Sequence, residues 1–293
     1  NLMKILFTGG GSGGHFYPII AIAKEIQKVV KEEKALPPRL YFMGPDPYDR
    51  QMLFENSIEF LQAPAGKIRR YFSLANFFDL FVTLAGIIKA IISVFLIYPD
   101  VIFGKGGHGS FPALVAARIF RIPVVIHESD TTPGRVNLWA GKFAKKIATS
   151  YPETVKLFPQ TKTAWTGQPI RSEITMPIKE GAEEFLKLEK AIPVILVLGG
   201  SQGAEKLNDV ILDLLPKLLN KYQVIHQTGA LKYKDVIGAA TVILENHEHA
   251  KRYKPFNYLN ELALRMSAGI TSLVITRAGS TLFEIAAWGK PSI

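Results

Sequence analysis

The stretch Thr8-Gly9-Gly10-Gly11-Ser12-Gly13-Gly14-His15 places five glycines in eight residues directly after the apolar run Lys4 to Thr8. A strand that ends in a glycine turn and passes into a helix leaves unpaired backbone N–H groups aimed at one spot. A phosphate or another oxyanion is stabilised there. Gly9, Gly11 and Gly14 fit the G-x-G-x-x-G spacing, which taken alone also fits a tight turn with no ligand. His15 adds a group that titrates near neutrality at the mouth of the turn, where a hydride-transfer cofactor has no need of one. No Lys-Ser or Lys-Thr follows Gly14, so the turn is not a P-loop.

Two more clusters repeat the pattern. Gly104-Lys105-Gly106-Gly107-His108-Gly109-Ser110 follows an apolar run ending at Phe103, and Gly199-Gly200-Ser201-Gln202-Gly203-Ala204 follows Val194 to Leu198. The N–H groups of Ser201 to Ala204 and of the helix after them can offset the charge of a departing diphosphate. The chain has no Asp-x-Asp pair to hold a divalent ion, so no metal is expected there. Arg171, just past Thr166-Gly167-Gln168-Pro169, reads either as a cation that reaches a diphosphate or as a surface linker arginine. Glu284 lies one helical turn beyond Gly279. It can accept hydrogen bonds from the two hydroxyls of a ribose, or simply favour a helix N-terminus that keeps it ionised. His127-Glu128 has no second histidine at helical spacing and reads as structural, and His247-Glu248-His249 reads as a solvated loop.

Short β-type runs alternate with amphipathic helices throughout, the pattern of parallel sheets covered on both faces. Expected strands after the first are 39–43, 100–103, 123–127, 146–149 and 163–166, then 193–198, 223–226, 241–244 and 273–276. Helices are expected from Pro18 onward, at 112–120 and at 206–219. The charged, proline-containing stretch 167–190 reads as a linker between a domain at 1–166 and a second at 191–293. In such folds ligands bind beyond the carboxyl ends of the strands, so the glycine turns are expected to face one cleft between the domains.

The chain has 293 residues, 48% hydrophobic and 20% charged, which describes ordinary globular domains rather than disorder. It has no cysteine, so disulfides and thiolate metal sites are excluded. A net charge of +10 calls for an anionic partner. No RNP-type strand, zinc finger or Arg-rich tail is present, so nucleic acid is not expected. The apolar segment Tyr71 to Tyr98 is broken by Asp79 and Lys89 and reads as a packed helix rather than a span, at least from Leu84 onward. Its front end differs: Lys67, Arg69 and Arg70 stand just before Phe72, Phe77 and Phe78, as a membrane-surface patch requires. Asn1 and Leu2 precede a plausible initiator Met3, and Pro291-Ser292-Ile293 reads as the start of another strand. A piece of a longer chain, truncated at its C-terminal end, is expected.

Gly10 to His15 with Pro18, Gly106-Gly107 with Ser110 and Pro112, His127-Glu128, Gly167-Gln168-Pro169-Ile170-Arg171, Gly199 to Ala204, and Arg277-Ala278-Gly279-Ser280 to Glu284 occur in this order across the whole chain. Together they resemble the MurG family, the family-28-type bacterial N-acetylglucosaminyltransferases that convert lipid I to lipid II. The resemblance implies an α/β GT-B fold of two Rossmann-like doubly wound domains, the first on the acceptor and membrane side, the second binding the donor. It implies inverting hexosyl transfer from UDP-N-acetylglucosamine to undecaprenyl-pyrophosphoryl-MurNAc-pentapeptide, no required cofactor, and a peripheral place on the cytoplasmic face of the cell membrane. Anionic lipid and other cell-wall synthesis proteins are the implied partners.

By the same resemblance His15 is the candidate catalytic base. Donor contacts are implied for Ser12, Gly13, Gly14, Asp130, Arg171, Ser201, Gln202, Gly203, Asn257, Gly279, Ser280, Thr281, Leu282, Phe283 and Glu284. Acceptor contacts are implied for Gly106, Gly107, His108 and Ser110. The family usually has Tyr where this chain has His108, Asn where it has Asp130, and Ile where it has Asn257. Its turn before Glu284 is one residue longer, and it continues past Ile293. Two other readings stay open: a GT-B transferase with a different glycolipid acceptor, and a dinucleotide-binding oxidoreductase.

Overall fold

A computed structural model describes residues 2–66, 74–200, 203–277 and 279–293, with side chains throughout except at 74–78. The chain divides into two compact units, Asn1–Pro169 and Ile170–Ile293.

The first unit alternates strands and helices: β1 (Lys4–Thr8), α1 (Gly13–Glu32), β2 (Arg39–Gly44), α2 (Arg50–Glu55), β3 (Ile58–Gln62), α3 (Leu74–Ile97), β4 (Val101–Gly104), α4 (Phe111–Ile119), β5 (Val124–Glu128), α5 (Arg135–Gly141), β6 (Lys146–Thr149), α6 (Pro152–Val155) and β7 (Thr163–Trp165). All seven strands are parallel, in the order β3-β2-β1-β4-β5-β6-β7. Leu6, Met43, Ile102 and Ile126 point to one face, against α3, α4 and α5. Ile5, Phe7, Leu40 and Phe42 point to the other, against α1 and α2. Burying each such side chain stabilises the sheet by about 1.5–3 kcal/mol.

The second unit contains α7 (Ala182–Phe185), β8 (Val194–Leu198), α8 (Glu205–Leu218), β9 (Gln223–Gln227), α9 (Tyr233–Ile243), β10 (Tyr253–Phe256), α10 (Glu261–Ile270), β11 (Thr271–Thr276) and α11 (Thr281–Trp288). Its parallel sheet runs β10-β9-β8-β11, and Pro291 to Ile293 pair with Val274 and Thr276 at the β11 edge. One face packs under α10 and α11, the other under α8 and α9. Both units are therefore doubly wound, as the alternation predicts.

Several expectations are corrected. Residues 241–244 are no strand: 241–243 end α9, where Val236 and Ala240 bury one helical face and the β-branched Val242 is exposed. Two strands escape the sequence pattern, β3 with its interleaved polar residues and β10, whose Pro255 is tolerated because the strand lies at a sheet edge. Helix α1 begins at Gly13, so Pro18 is interior rather than in the first turn and leaves the Gly14 carbonyl without its helical donor. The stretch 167–190 is shared between the units. Gly167 and Gln168 bond within the first, while Ile174, Ala182 and Leu186 are buried in the second.

Helix α3 is only partly a packed helix. Gly86, Ala90 and Val94 form its buried stripe, and α4 is its main partner. Leu80, Leu84, Ile88, Ile92 and Phe95 on its other side are more than half exposed. The segment Asp79–Ile97 is long and apolar enough to cross a membrane by length and composition, despite Asp79 and Lys89. Of the expected membrane patch, Lys67, Arg69, Arg70 and Phe72 lie outside the described residues, as do the side chains of Phe77 and Phe78.

Candidate functional site

In the first unit the parallel order brings the carboxyl ends of β1, β4 and β5 side by side, and the expected residues follow them directly. The loops after β1 and β4 touch backbone to backbone. Gly10 N–H donates to Gly106 O at 3.1 Å. A Cβ on Gly10 would lie 3.0 Å from Gly109 N, and one on Gly107, whose φ is +77°, would lie 3.1 Å from Gly10 Cα. Side chains at these positions would push the loops apart, which explains the glycines physically.

Ser12, Gly13 and Gly14 form the start of α1, whose first turn carries no acidic side chain. Its free N–H groups remain available to an anion. His15 Nδ1 lies 2.8 Å from Ser12 Oγ, and the His108 ring reaches over Gly11. Burial, then the electrostatic influence of Lys105 and of His108, pushes the His15 pKa down to about 4. His15 is therefore a neutral imidazole at physiological pH, able to accept a proton.

Asp130 follows β5, in a loop held by Glu128. Glu128 Oε1 accepts from Asp130 N–H at 3.0 Å, and Oε2 accepts from Gly134 N–H and Asn137 Nδ2. His127-Glu128 is thus a structural pair, as its spacing suggests. Ser110 is fully buried and donates to Gly107 O at 2.9 Å, so its hydroxyl shapes the turn.

In the second unit β8 and β11 are neighbours, which sets the turn after β8 beside the turn after β11. Gly200 and Gly203 have φ of +83° and +81°. A Cβ on Gly203 would lie 2.5 Å from Thr228 O, and one on Gly200 would lie 3.1 Å from Arg277 Nη2. Ser201 and Gln202 lie outside the described residues. Gly279 and Ser280 lead into α11, which carries Thr281, Leu282, Phe283 and Glu284 in its first turn. Asn257 follows β10 at the far edge, its Oδ1 accepting from Tyr258 N–H at 2.7 Å.

Arg171 is not a surface linker residue. It is 5% exposed, and its Nη2 stands 3.7 Å from Glu284 Oε1. Ile174, buried in the same core, accepts from Trp288 Nε1 through its carbonyl at 2.7 Å and so docks the segment on α11. Burial pushes the Glu284 pKa up, and the Arg171 guanidinium pulls it back. The main support for its charge is thus Arg171, not the helix terminus alone.

The sequence reading missed two buried networks. Lys105 Nζ meets His127 Nδ1, Ser129 Oγ and Gln168 Oε1 in the first unit. In the second, Tyr253 Oη pairs with His226 Nδ1, His226 Nε2 with Asn208 Oδ1, and Asn208 Nδ2 donates to Thr228 O beneath the glycine turn. A lysine set between glycines at a strand end was the visible signal for the first. Nothing in the local pattern marks the second.

Residues 5–149 match the glycosyltransferase family 28 N-terminal domain, and residues 194–293 match the glycosyltransferase family 28 C-terminal domain. A Treponema denticola protein named UDP-N-acetylglucosamine–N-acetylmuramyl-(pentapeptide) pyrophosphoryl-undecaprenol N-acetylglucosamine transferase is 36% identical over 304 residues, spanning 99% of this chain and 76% of that protein. The crystal structure of Acinetobacter baumannii MurG is similar with a TM-score of 0.60 at 22% identity, over 96% of this chain and 73% of that one. The UDP-GlcNAc 2-epimerase of Neisseria meningitidis, solved with UDP-GlcNAc bound, is similar with a TM-score of 0.66 at 15% identity, over 99% and 82%. Both structures share the two-domain GT-B-like fold. The two matched segments follow one another in family order, each built on one of the two parallel sheets, and the chain belongs to glycosyltransferase family 28.

Proposed function

We propose that this protein transfers N-acetylglucosamine from UDP-N-acetylglucosamine to the MurNAc-pentapeptide of lipid I, with inversion, giving lipid II for peptidoglycan synthesis. The sugar and acceptor follow from the name of the Treponema denticola relative. The structural observation that carries the donor half is the Arg171–Glu284 pair at the start of α11, beside the glycine turn after β8. Glu284 supplies a carboxylate for the two ribose hydroxyls. Arg171 and the N–H groups at the start of α8 offset the diphosphate charge that grows as the glycosidic bond breaks, which makes the step independent of a metal.

The acceptor half rests on His15. An acceptor sugar hydroxyl attacks the anomeric carbon from the face opposite UDP; the new C–O bond forms, the bond to the β-phosphate oxygen breaks, and the hydroxyl proton passes to the neutral imidazole. The loops with Asp130, Gly106, Gly107 and His108 sit at the neighbouring strand ends and supply the remaining polar contacts.

The protein works as a peripheral enzyme at an anionic membrane surface. The exposed face of α3 presents Leu80, Leu84, Ile88, Ile92 and Phe95 to lipid, while Gly86, Ala90 and Val94 keep the helix on its own domain. A helix tied down along one stripe lies in the interface rather than across it. The basic residues Lys67, Arg69 and Arg70 add the attraction for anionic headgroups. Incubation with labelled UDP-N-acetylglucosamine and a short-chain lipid I tests the reading, with a β-linked disaccharide-lipid as the expected product. Free sugar or epimerised donor as the only product would contradict it.

A further inference from the structure

Lys105 is 1% exposed, in the loop that leaves β4. Its ammonium donates to His127 Nδ1 at 2.6 Å, to Ser129 Oγ, and to Gln168 Oε1 at 3.2 Å. Gln168 Oε1 also accepts from Ser150 Oγ at 2.7 Å, so the network joins the carboxyl ends of β4, β5, β6 and β7. None of these direct partners is a carboxylate. An ammonium taken out of water among neutral dipoles is costly to the fold, and a methionine of similar length would fill the space without that cost.

The residues that leave this cluster are those of the candidate site. Gly106, Gly107 and His108 follow Lys105 along the chain, and Asp130 follows Ser129. Lys105 N–H donates to Thr8 O at 2.8 Å, and Gly106 O accepts from Gly10 N–H, which ties the same loop to the turn bearing His15. We infer that Lys105 is a positioning residue for sugar transfer, a buried ammonium that fixes the strand-end loops carrying His15, His108 and Asp130. This rests on the transferase reading above.

The electrostatics agree with the geometry. Burial pushes the Lys105 pKa down to about 7, against the pull of Glu128 on β5 and Asp130 in the next loop. His127 donates from Nε2 to Gly167 O at 2.9 Å, so its Nδ1 is the acceptor for Lys105. Burial and then the Lys105 charge push its pKa down to about 3. The same charge lowers the pKa of His15 at the start of α1, with His108 acting in the same sense. Lys105 thus holds His127 in one tautomer and adds to the burial that keeps His15 neutral.

The test uses the full chain and Lys105→Met, with nitrogen-15-labelled histidine and carbon-13-labelled lysine followed by NMR from pH 4 to 10. In the unmutated protein one lysine signal should titrate near neutrality, a measurement that needs no variant to fold. In Lys105→Met that signal should vanish, and the His127 and His15 titrations should move up by about one pH unit. With lipid I, kcat should fall by about 10- to 100-fold while the donor KM changes less than about twofold. Lysine signals that all titrate in the ordinary range, or histidine titrations that do not respond to Lys105→Met, would overturn the inference. If the titrations behave as expected but the unmutated protein transfers no sugar, the transferase reading fails and the lysine clamp stands.

Discussion

Arg171 Nη2 lies 3.7 Å from Glu284 Oε1, although 113 residues separate them in sequence and one of them stands at the boundary of its unit. In the proposed donor site this pair supplies the nucleotide contacts: its acid is desolvated, and one guanidinium favours its charged form. Glu284→Gln should weaken UDP binding by about tenfold or more and shrink the preference for UDP over 2′-deoxy-UDP. Because burial raises the Glu284 pKa, UDP affinity should also fall with decreasing pH sooner than for an ordinary carboxylate. Calorimetric titrations at several pH values check both. Equal affinity and equal discrimination in the variant would place the ribose elsewhere.

Glycine substitutions separate close packing from open helix surface. A Cβ on Gly86 would collide with the Pro64 carbonyl oxygen, and one on Gly269 with the Ile178 carbonyl, whereas Gly238 in α9 has open space around it. Gly86→Ala and Gly269→Ala should each destabilise by about 1–3 kcal/mol. Gly238→Ala should stabilise by about 0.5–1 kcal/mol, because alanine loses less backbone freedom in a helix. Urea denaturation midpoints decide the order.

Three buried histidines should contribute to the acid side of stability. Burial pushes His15 and His226 down to about 4 and His127 to about 3, each from 6.5. Between those values and 6.5 the unfolded chain binds protons that the folded chain does not, so stability rises with pH across that window and is lost as pH falls below 6.5. The limiting slope is about 1.4 kcal/mol per pH unit for each group. Lys105 acts in the same direction at higher pH: it is deprotonated above about 7 in the fold but only near 10.5 in the unfolded chain, so stability should climb again from pH 7 to 10. Lys105→Met should flatten that second rise.

Vesicle binding tests the lipid face. Binding should be stronger to anionic than to neutral vesicles and weaken with salt. Ile88→Ser, Ile92→Ser and Phe95→Ser combined should reduce it by about tenfold or more without changing UDP affinity. Equal binding by parent and triple variant would remove α3 from the membrane contact.

The repeated alternation of apolar runs and amphipathic helices made the doubly wound units legible, because strands buried on both faces read as continuous apolar runs. The glycine turns were legible for a related reason: backbone that approaches backbone tolerates no Cβ, as at Gly10, Gly107 and Gly203. What the sequence hides is burial of polar groups. Arg171 reads as well for a surface cation as for a ligand contact, and Lys105 carries no mark of burial, until the fold carries Glu284 to one and His127, Ser129 and Gln168 to the other. The exposed face of α3 was hidden for the opposite reason, since its apolar repeat reads as core wherever the partner is unknown.

The central claim is tested most directly by sugar transfer to lipid I, measured with the unmutated chain and His15→Ala side by side. The unmutated protein at its full natural length should release UDP in step with a β-linked N-acetylglucosaminyl product, without added metal and in the presence of a chelator. His15→Ala should lower kcat by about 100-fold or more while leaving UDP affinity nearly unchanged, because in the proposed reaction its imidazole takes the hydroxyl proton and does not hold the nucleotide. Full turnover by His15→Ala would contradict the role given to the imidazole, and UDP release with no product on lipid I would contradict the account as a whole.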